Sequence, residues 1–340
     1  MDTQKTKEAS SENSENKEKL RQIILQYPQQ LEKGLEFSKK IAFKGKNYSN
    51  LIICGMGGSA LPGDLLISYL ENSNSATFNL PILISRSYSL PSLANKNSLI
   101  FICSYSGNTE ETIACFEKAL RLKADIVAFS SGGKIQEIAQ KNNTPWVNTK
   151  INFPSFQPRY ATTYVFSAML GVLTNLGLSA RIKKLPKIDS SLLESEGKKL
   201  AQKIAGKTPI IYASNKFKAL AKNWKIKINE NAKTPAFWNY FPELNHNEMV
   251  GFTLPQGKFF VINLLDDKDH PQIIKRIQIT SALYQEKGIE TEIINLLGSD
   301  FLEKMLWGLI LGDWTSFYLA LQYNQDPIPV QMVEDLKKRL

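Results

Sequence analysis

Two histidines and three cysteines in 340 residues leave few side chains for metal or thiol chemistry. His246 and His270 stand apart, and neither H-E-x-x-H nor C-x-x-C spacing occurs, so no zinc site is expected. The cysteines are odd in number, and Cys54 and Cys103 fall inside apolar, strand-like runs. A free thiol there behaves as a small hydrophobe, and a reducing, cytoplasmic compartment is the expectation. No run of 18 or more apolar residues occurs, so no membrane helix is expected. The opening MDTQKTKEASSENSENKEK lacks the apolar core of a secretory signal. Anionic side chains are the scarcer charge, 32 against 42 Lys and Arg, for a net charge of +10. The lysines are spread along the chain, and the clusters Lys183-Lys184 and Lys337-Lys338-Arg339 are short. No nucleic-acid-reading motif accompanies them, so no nucleic-acid partner is expected, and the charge is compatible with steering of a small anion without showing it.

A hydrophobic fraction of 43% is ample for a core, and the length suits two domains. Residues 1–17 are polar and without periodicity, and are read as a disordered tail. From Glu18 to Ile41 the apolar residues Leu20, Ile23, Ile24, Leu31 and Leu35 recur near helical spacing. Tyr27-Pro28 interrupts them, predicting one kinked helix or two short ones. Short apolar runs at 51–54, 81–85, 99–103 and 124–129 then alternate with helical stretches, ending in PWVNT and a long helix from about Tyr160 to Leu176. After the charged stretch 181–196, read as a linker, the alternation resumes. Strands are predicted at 209–214, 259–265 and 289–296, with helices at 216–230, 270–287 and 301–321. The fold class is therefore α/β, with two domains at 18–180 and 197–340, each a parallel sheet flanked by helices.

Three turns carry the chemistry. Gly55-Met56-Gly57-Gly58-Ser59 follows the first strand and opens a helix, where free N–H groups and the helix dipole favour an anion. It is neither a P-loop nor a convincing dinucleotide fingerprint, because Ser85-Arg86 stands where an acidic residue would hold a ribose. No cofactor is expected. Ser104-Tyr105-Ser106-Gly107-Asn108-Thr109 sets three hydroxyls on one strand-to-helix turn. A single hydroxyl would suffice to cap the helix, so phosphate binding by Ser59, Ser104, Ser106 and Thr109 is expected. For Ser130-Ser131-Gly132-Gly133, a structural turn and a binding turn stand level. Arg159 precedes the long helix and suits a phosphate or a developing oxyanion. In the second half His246, in a polar loop, is an acid–base candidate, and Glu230, at the end of a helix, a candidate base. His270 reads as a solvated residue at a helix N-terminus.

These residues carry a resemblance. GMGGSALPGDLL (55–66), SYSGNTEET (104–112), SSGGK (130–134), QPRYA (157–161), NENAKTPAFWNYFPELNHNE (229–248), GDWTSFYLA (312–320) and DPIPV (326–330) resemble the bifunctional phosphoglucose/phosphomannose isomerase family, within the sugar-isomerase domain superfamily. The resemblance implies two sugar-isomerase domains of flavodoxin-like layering. It implies metal-independent interconversion of glucose 6-phosphate or mannose 6-phosphate with fructose 6-phosphate, through ring opening and an enediolate. By the same resemblance Gly57, Gly58, Ser59, Ser104, Ser106 and Thr109 bind the phosphate, and Arg159 binds substrate and stabilises the enediolate. Glu230 moves the proton, His246 opens the ring from the partner subunit of a homodimer, and Lys337 assists near the ring oxygen. Ile328 departs from the pattern, where a smaller residue is expected between the two prolines. The alternatives are a non-catalytic phosphosugar-binding regulator and an aminosugar-phosphate enzyme. The first would lack the Glu230–His246 pair.

Overall fold

A computed structural model describes residues 2–43, 46–73, 78–153 and 156–340. The chain divides into two compact units, residues 28–186 and residues 187–340 together with 1–27. The division after Pro186 falls inside the stretch read as a linker. The N-terminus departs from the sequence reading. Helix α1 (Asp2–Leu25) runs through the segment expected to be disordered, and residues 18–27 group with the second sheet instead of the first. The cause is that Leu20, Ile23 and Ile24 are buried. Arg21 also forks onto Glu194 at 2.8 and 3.0 Å. With its C-terminal turns anchored and no Gly or Pro upstream, the helix propagates at one hydrogen bond per residue. Helix α2 (Tyr27–Ser38) starts afresh with Pro28 in its first turn, where the missing N–H costs nothing.

The 28–186 unit holds the first sheet. In chain order its elements are β1 (Asn50–Cys54), α3 (Gly57–Asn72), β2 (Ile82–Ser85), β3 (Ser98–Cys103), α4 (Glu110–Arg121), β4 (Asp125–Ser130), α5 (Gly133–Lys141), β5 (Trp146–Asn148) and α6 (Thr162–Asn175). All pairings are parallel, in the order β2-β1-β3-β4-β5. Every residue of β1 and β3 is buried, as expected of central strands covered on both faces. Strand order reverses between β1 and β3, and this switch point is where open parallel sheets bind ligands. Cys54, Cys103 and Cys115 are free and buried.

The second unit holds α7 (Glu194–Ile204), β6 (Thr208–Ser214), α8 (Lys218–Ala232), β7 (Phe237–Phe241), β8 (Phe259–Leu265), α9 (Pro271–Glu286), β9 (Glu290–Asn295), α10 (Phe301–Gln322) and α11 (Gln331–Arg339). Its sheet is parallel throughout, in the order β7-β6-β8-β9. Thus the first four strands of one sheet and the four of the other follow one plan. Helix α10 packs on α7 and α8, and two glycines set the distance. A Cβ on Gly312 would fall 2.5 Å from Trp224 Nε1, and that indole donates to the Gly308 carbonyl at 2.7 Å. One turn further along α8, Lys227 and Asp313 form a fully buried ion pair at 2.6 Å. Among the described residues no helix is long and apolar enough to cross a membrane.

Candidate active site

The turns leaving β1, β3 and β4 form one interlocked body. Ser59 Oγ, in the first turn of α3, accepts the Tyr105 N–H at 3.0 Å and so ties the first turn to the second. Within the second turn, Ser104 Oγ accepts the Gly107 N–H at 3.2 Å and shares a 2.9 Å hydrogen bond with Thr109 Oγ1. Ser106 Oγ accepts the Asn108 N–H at 3.3 Å. Thr109 stands at the N-cap of α4 yet makes no side-chain capping bond. Its hydroxyl is therefore not committed to the helix. Of the Ser104–Thr109 pair, one hydroxyl donates to the other and the second keeps its proton for a ligand. Ser104 is buried, Thr109 half-buried and Ser106 exposed, so the three residues run from the core to the surface. Gly57 begins α3 with φ +46°; the Ser59 N–H goes to the Met56 carbonyl at 2.9 Å, while the N–H groups of Gly57 and Gly58 have no acceptor within the helix. The N-termini of α3 and α4 thus both lie at the carboxyl edge of the switch point, an arrangement suited to a phosphate.

The third turn braces the second. Ser131 gives both its N–H, at 2.8 Å, and its hydroxyl, at 2.6 Å, to the Tyr105 carbonyl. Asn108 Oδ1 accepts the Lys134 N–H at 3.0 Å. A Cβ on Gly107, where φ is +75°, would sit 1.8 Å from the Gly132 carbonyl oxygen. The two backbones touch because neither has a side chain at that point. This buttress was legible in the sequence only as a glycine pair of undecided use.

Arg159 enters the same body from the short turn Pro158–Tyr160. It is buried, its guanidinium lies 4.6 Å over the Tyr160 ring, and Nη2 donates to the Tyr160 hydroxyl at 2.9 Å. A Cβ on Gly58 would meet the Arg159 backbone nitrogen at 2.8 Å. Gly58 is thus the residue that lets the arginine turn seat against the start of α3.

Glu230, His246 and Lys337 sit on three separate elements of the second unit. Glu230 lies in the last turn of α8, half-buried and not quite at the helix end, since α8 runs two residues further. The buried Lys227–Asp313 pair one turn before it and the Asn231–Ser316 bond at 3.0 Å just after it fix its backbone. His246 is exposed in a short turn, Glu243–His246, that follows β7. Lys337 is exposed on α11 and pairs with Glu334 at 2.8 Å. His270 caps α9, its Nδ1 accepting the Gln272 N–H at 3.1 Å, in keeping with the helix-terminal reading.

Sequence reasoning missed the support beneath His246. Tyr212, fully buried on β6, donates its hydroxyl to Glu248 Oε1 at 2.5 Å, and Asn239 on β7 donates to Glu248 Oε2. Burial first, then the nearby Tyr284 and Glu248, push the Tyr212 phenol far above its ordinary range, so it remains a donor. The switch point of the second sheet, between β6 and β8, also differs from that of the first. Lys304 donates to Asp266 at 2.5 Å and to Asp267, while Lys216 lies 3.6 Å from Asp266 and 3.2 Å from Asp269. Burial raises the Asp269 carboxyl. The ions of the chain itself occupy the place where the first sheet presents hydroxyls and N–H groups.

Phosphate-ready turns at the switch point of one parallel sheet, followed by a second sheet of the same plan, define a two-domain protein of the sugar-isomerase (SIS) class. The fold agrees with the C-terminal domain of glucosamine-fructose-6-phosphate aminotransferase from Francisella tularensis, at TM-score 0.69 and 13% identity, covering 92% of this chain and 98% of that one. Residues 193–340 match the family described as bacterial phospho-glucose isomerase C-terminal SIS domain. The bifunctional phosphoglucose/phosphomannose isomerase of Caldicellulosiruptor bescii is 35% identical over 93% of this chain and 97% of its own length. The enzyme of that name from Aquifex aeolicus is 33% identical over 86% and 91%. This chain belongs to the bifunctional phosphoglucose/phosphomannose isomerase family.

Proposed function

We propose that this chain is an aldose–ketose isomerase that interconverts glucose 6-phosphate and mannose 6-phosphate with fructose 6-phosphate. The observation that carries the reading is the interlocked set of hydroxyl and glycine turns at the first switch point, with Ser59, Ser104, Ser106 and Thr109 facing one carboxyl edge. In this reading the turns hold the phosphate and Arg159 stabilises negative charge as it develops on the C1 and C2 oxygens. His246 assists ring opening and Lys337 acts near the ring oxygen. Glu230 takes the proton from C2 of the open aldose and returns it to C1, while the hydroxyl proton passes from O2 to O1, leaving the ketose. The enediolate links both carbons, so one carboxylate serves both transfers, and the step transfers no electrons to or from a cofactor.

A homodimer in which His246 serves the partner's active site, working in the cytoplasm, completes the proposal. Mixing Glu230→Gln with His246→Ala subunits tests the first part. Activity regained on mixing supports the exchange of side chains, and a fully active monomer in sedimentation refutes it.

The test of the chemistry is fructose 6-phosphate formation from each aldose phosphate, with solvent-deuterium exchange at C2 read by NMR. Glu230→Gln keeps the shape and removes the basicity. It is expected to lower kcat by ~10²–10⁴-fold with KM little changed, and for both sugars together. Wild-type C2 exchange in this variant refutes the assignment of the base. No conversion of either aldose phosphate by the wild-type protein refutes the function.

A further inference from the structure

The loop from Glu243 to Thr253 exposes His246 while its neighbours are fastened inward. Leu244 is fully buried among the side chains of the second-sheet core, and Phe252 joins the same cluster. Asn245 Nδ2 donates to Thr280 Oγ1 on α9 at 2.8 Å, and Asn245 Oδ1 accepts from Arg276 at 3.4 Å. Asn247 reaches back to Glu243 Oε1 at 2.9 Å, and its own Oδ1 accepts the Glu248 N–H at 2.5 Å. Glu248 then clamps the far side of the turn, with one carboxylate oxygen on the buried Tyr212 hydroxyl and the other on Asn239.

A leucine or methionine at 248 would cover the same core without the desolvation that a half-buried carboxylate incurs. Apolar contact, however, fixes no direction. Two charge-assisted hydrogen bonds from adjacent strands fix the carboxylate, and with it the backbone two residues after the imidazole, in a single orientation.

We propose that Glu248, held by Tyr212 and Asn239, is a positioning residue for His246. It sets the direction of the imidazole during ring opening and touches no substrate itself. This rests on the reading that His246 acts in ring opening. The reading and the proposal are separated by measuring anomer interconversion of glucose 6-phosphate by exchange NMR, which reports ring opening without proton transfer at C2. His246→Ala, Glu248→Ala, Glu248→Gln, Tyr212→Phe and the His246→Ala/Glu248→Ala double variant are compared, with inhibition by inorganic phosphate as the control on the phosphate turns. Glu248→Ala is expected to lower enzyme-catalysed ring opening by ~10–10²-fold, the scale of a misplaced group. Glu248→Gln, which still accepts from Tyr212, is expected to recover most of it. Inhibition by phosphate is expected to stay unchanged, and the double variant to be no slower than His246→Ala alone. Should Glu248→Ala not fold, Tyr212→Phe removes one hydroxyl only and is expected to show the same defect at several-fold size. Wild-type ring opening in Glu248→Ala or Tyr212→Phe, beside a defective His246→Ala, overturns the positioning role alone. Multiplying defects in the double variant also overturn it, because Glu248 would then act independently. Wild-type ring opening in His246→Ala overturns the reading of His246 and the proposal with it.

Discussion

Gly58→Ala tests the interlocking of the site with one methyl group. The added Cβ would meet the Arg159 nitrogen at 2.8 Å, its Cα at 3.0 Å and the Pro158 carbonyl carbon at 3.1 Å. All three are backbone atoms, so no side chain can swing aside. Carbon contacts are comfortable at about 3.5–4.0 Å, so α3 and the 158–160 turn must part by roughly half an ångström or more. Gly58 does not have a positive φ, and in an open helical turn alanine would stabilise by about 0.4–1 kcal/mol. Overpacking instead costs about 1–3 kcal/mol, so the sign of the change is itself diagnostic. A shift of that size in Arg159 relative to the turns proposed to hold the phosphate is expected to lower kcat/KM by ~10–10²-fold. Stability is read from urea unfolding and activity from fructose 6-phosphate formation. A more stable Gly58→Ala protein with unchanged kinetics refutes the contact and the role given to it.

Asp313→Ala removes the Asp313 carboxylate from the buried Lys227 ammonium and is expected to cost about 3–5 kcal/mol in urea unfolding. Combining it with Lys227→Met should recover most of the loss. A cost below about 1 kcal/mol would show that the pair is not buried as described. The carboxyl of Glu194 is held below its ordinary range, first by the hydrogen bond from Arg21 and then by the Tyr318 hydroxyl, against the effect of burial. Its folded pKa is depressed, so its contribution is complete above the unfolded value near ~4.3 and is lost as pH falls through the folded value. Wild type is expected to exceed Glu194→Gln by about 0.5–1 kcal/mol near neutral pH, since Arg21 is partly solvent-exposed, with the gap closing in acid. A gap that stays constant from pH 7 to pH 3 counts against the ion pair.

The central strands β1, β3, β6 and β8 were legible because strands buried on both faces read as continuous apolar runs bounded by turn residues. Strand β7 was not. Its FWNYF sequence lies between Pro235 and Pro242, and its aromatics gave no alternation to follow. Helix α7 was hidden by its charge, although Leu200, Ala201 and Ile204 mark its buried face. The hydroxyl-bearing strand-to-helix turns were readable because everything that forms them is local: a strand end, a few hydroxyls and a helix start. The clamp on the His246 loop was not, since Tyr212 and Asn239 are joined only by the parallel pairing of β6 with β7, and Glu248 reaches them from the loop that follows β7. The bracing role of Gly132 and Gly133 depends on a backbone approach that spacing does not encode.

The two sheets share a strand plan, yet their switch points differ, with hydroxyl- and glycine-bearing turns at the first and ion pairs at the second. In the second, Asp266 and Asp269 take the place an arriving anion would occupy, and Lys216 and Lys304 are already neutralised by them. The consequence is one of stoichiometry: titration with inorganic phosphate should saturate at one equivalent per chain, although the architecture is built twice. Asp266→Asn with Asp269→Asn would leave Lys216 without either of its carboxylates and Lys304 with Asp267 alone, and a second, weaker equivalent should then appear in the same titration.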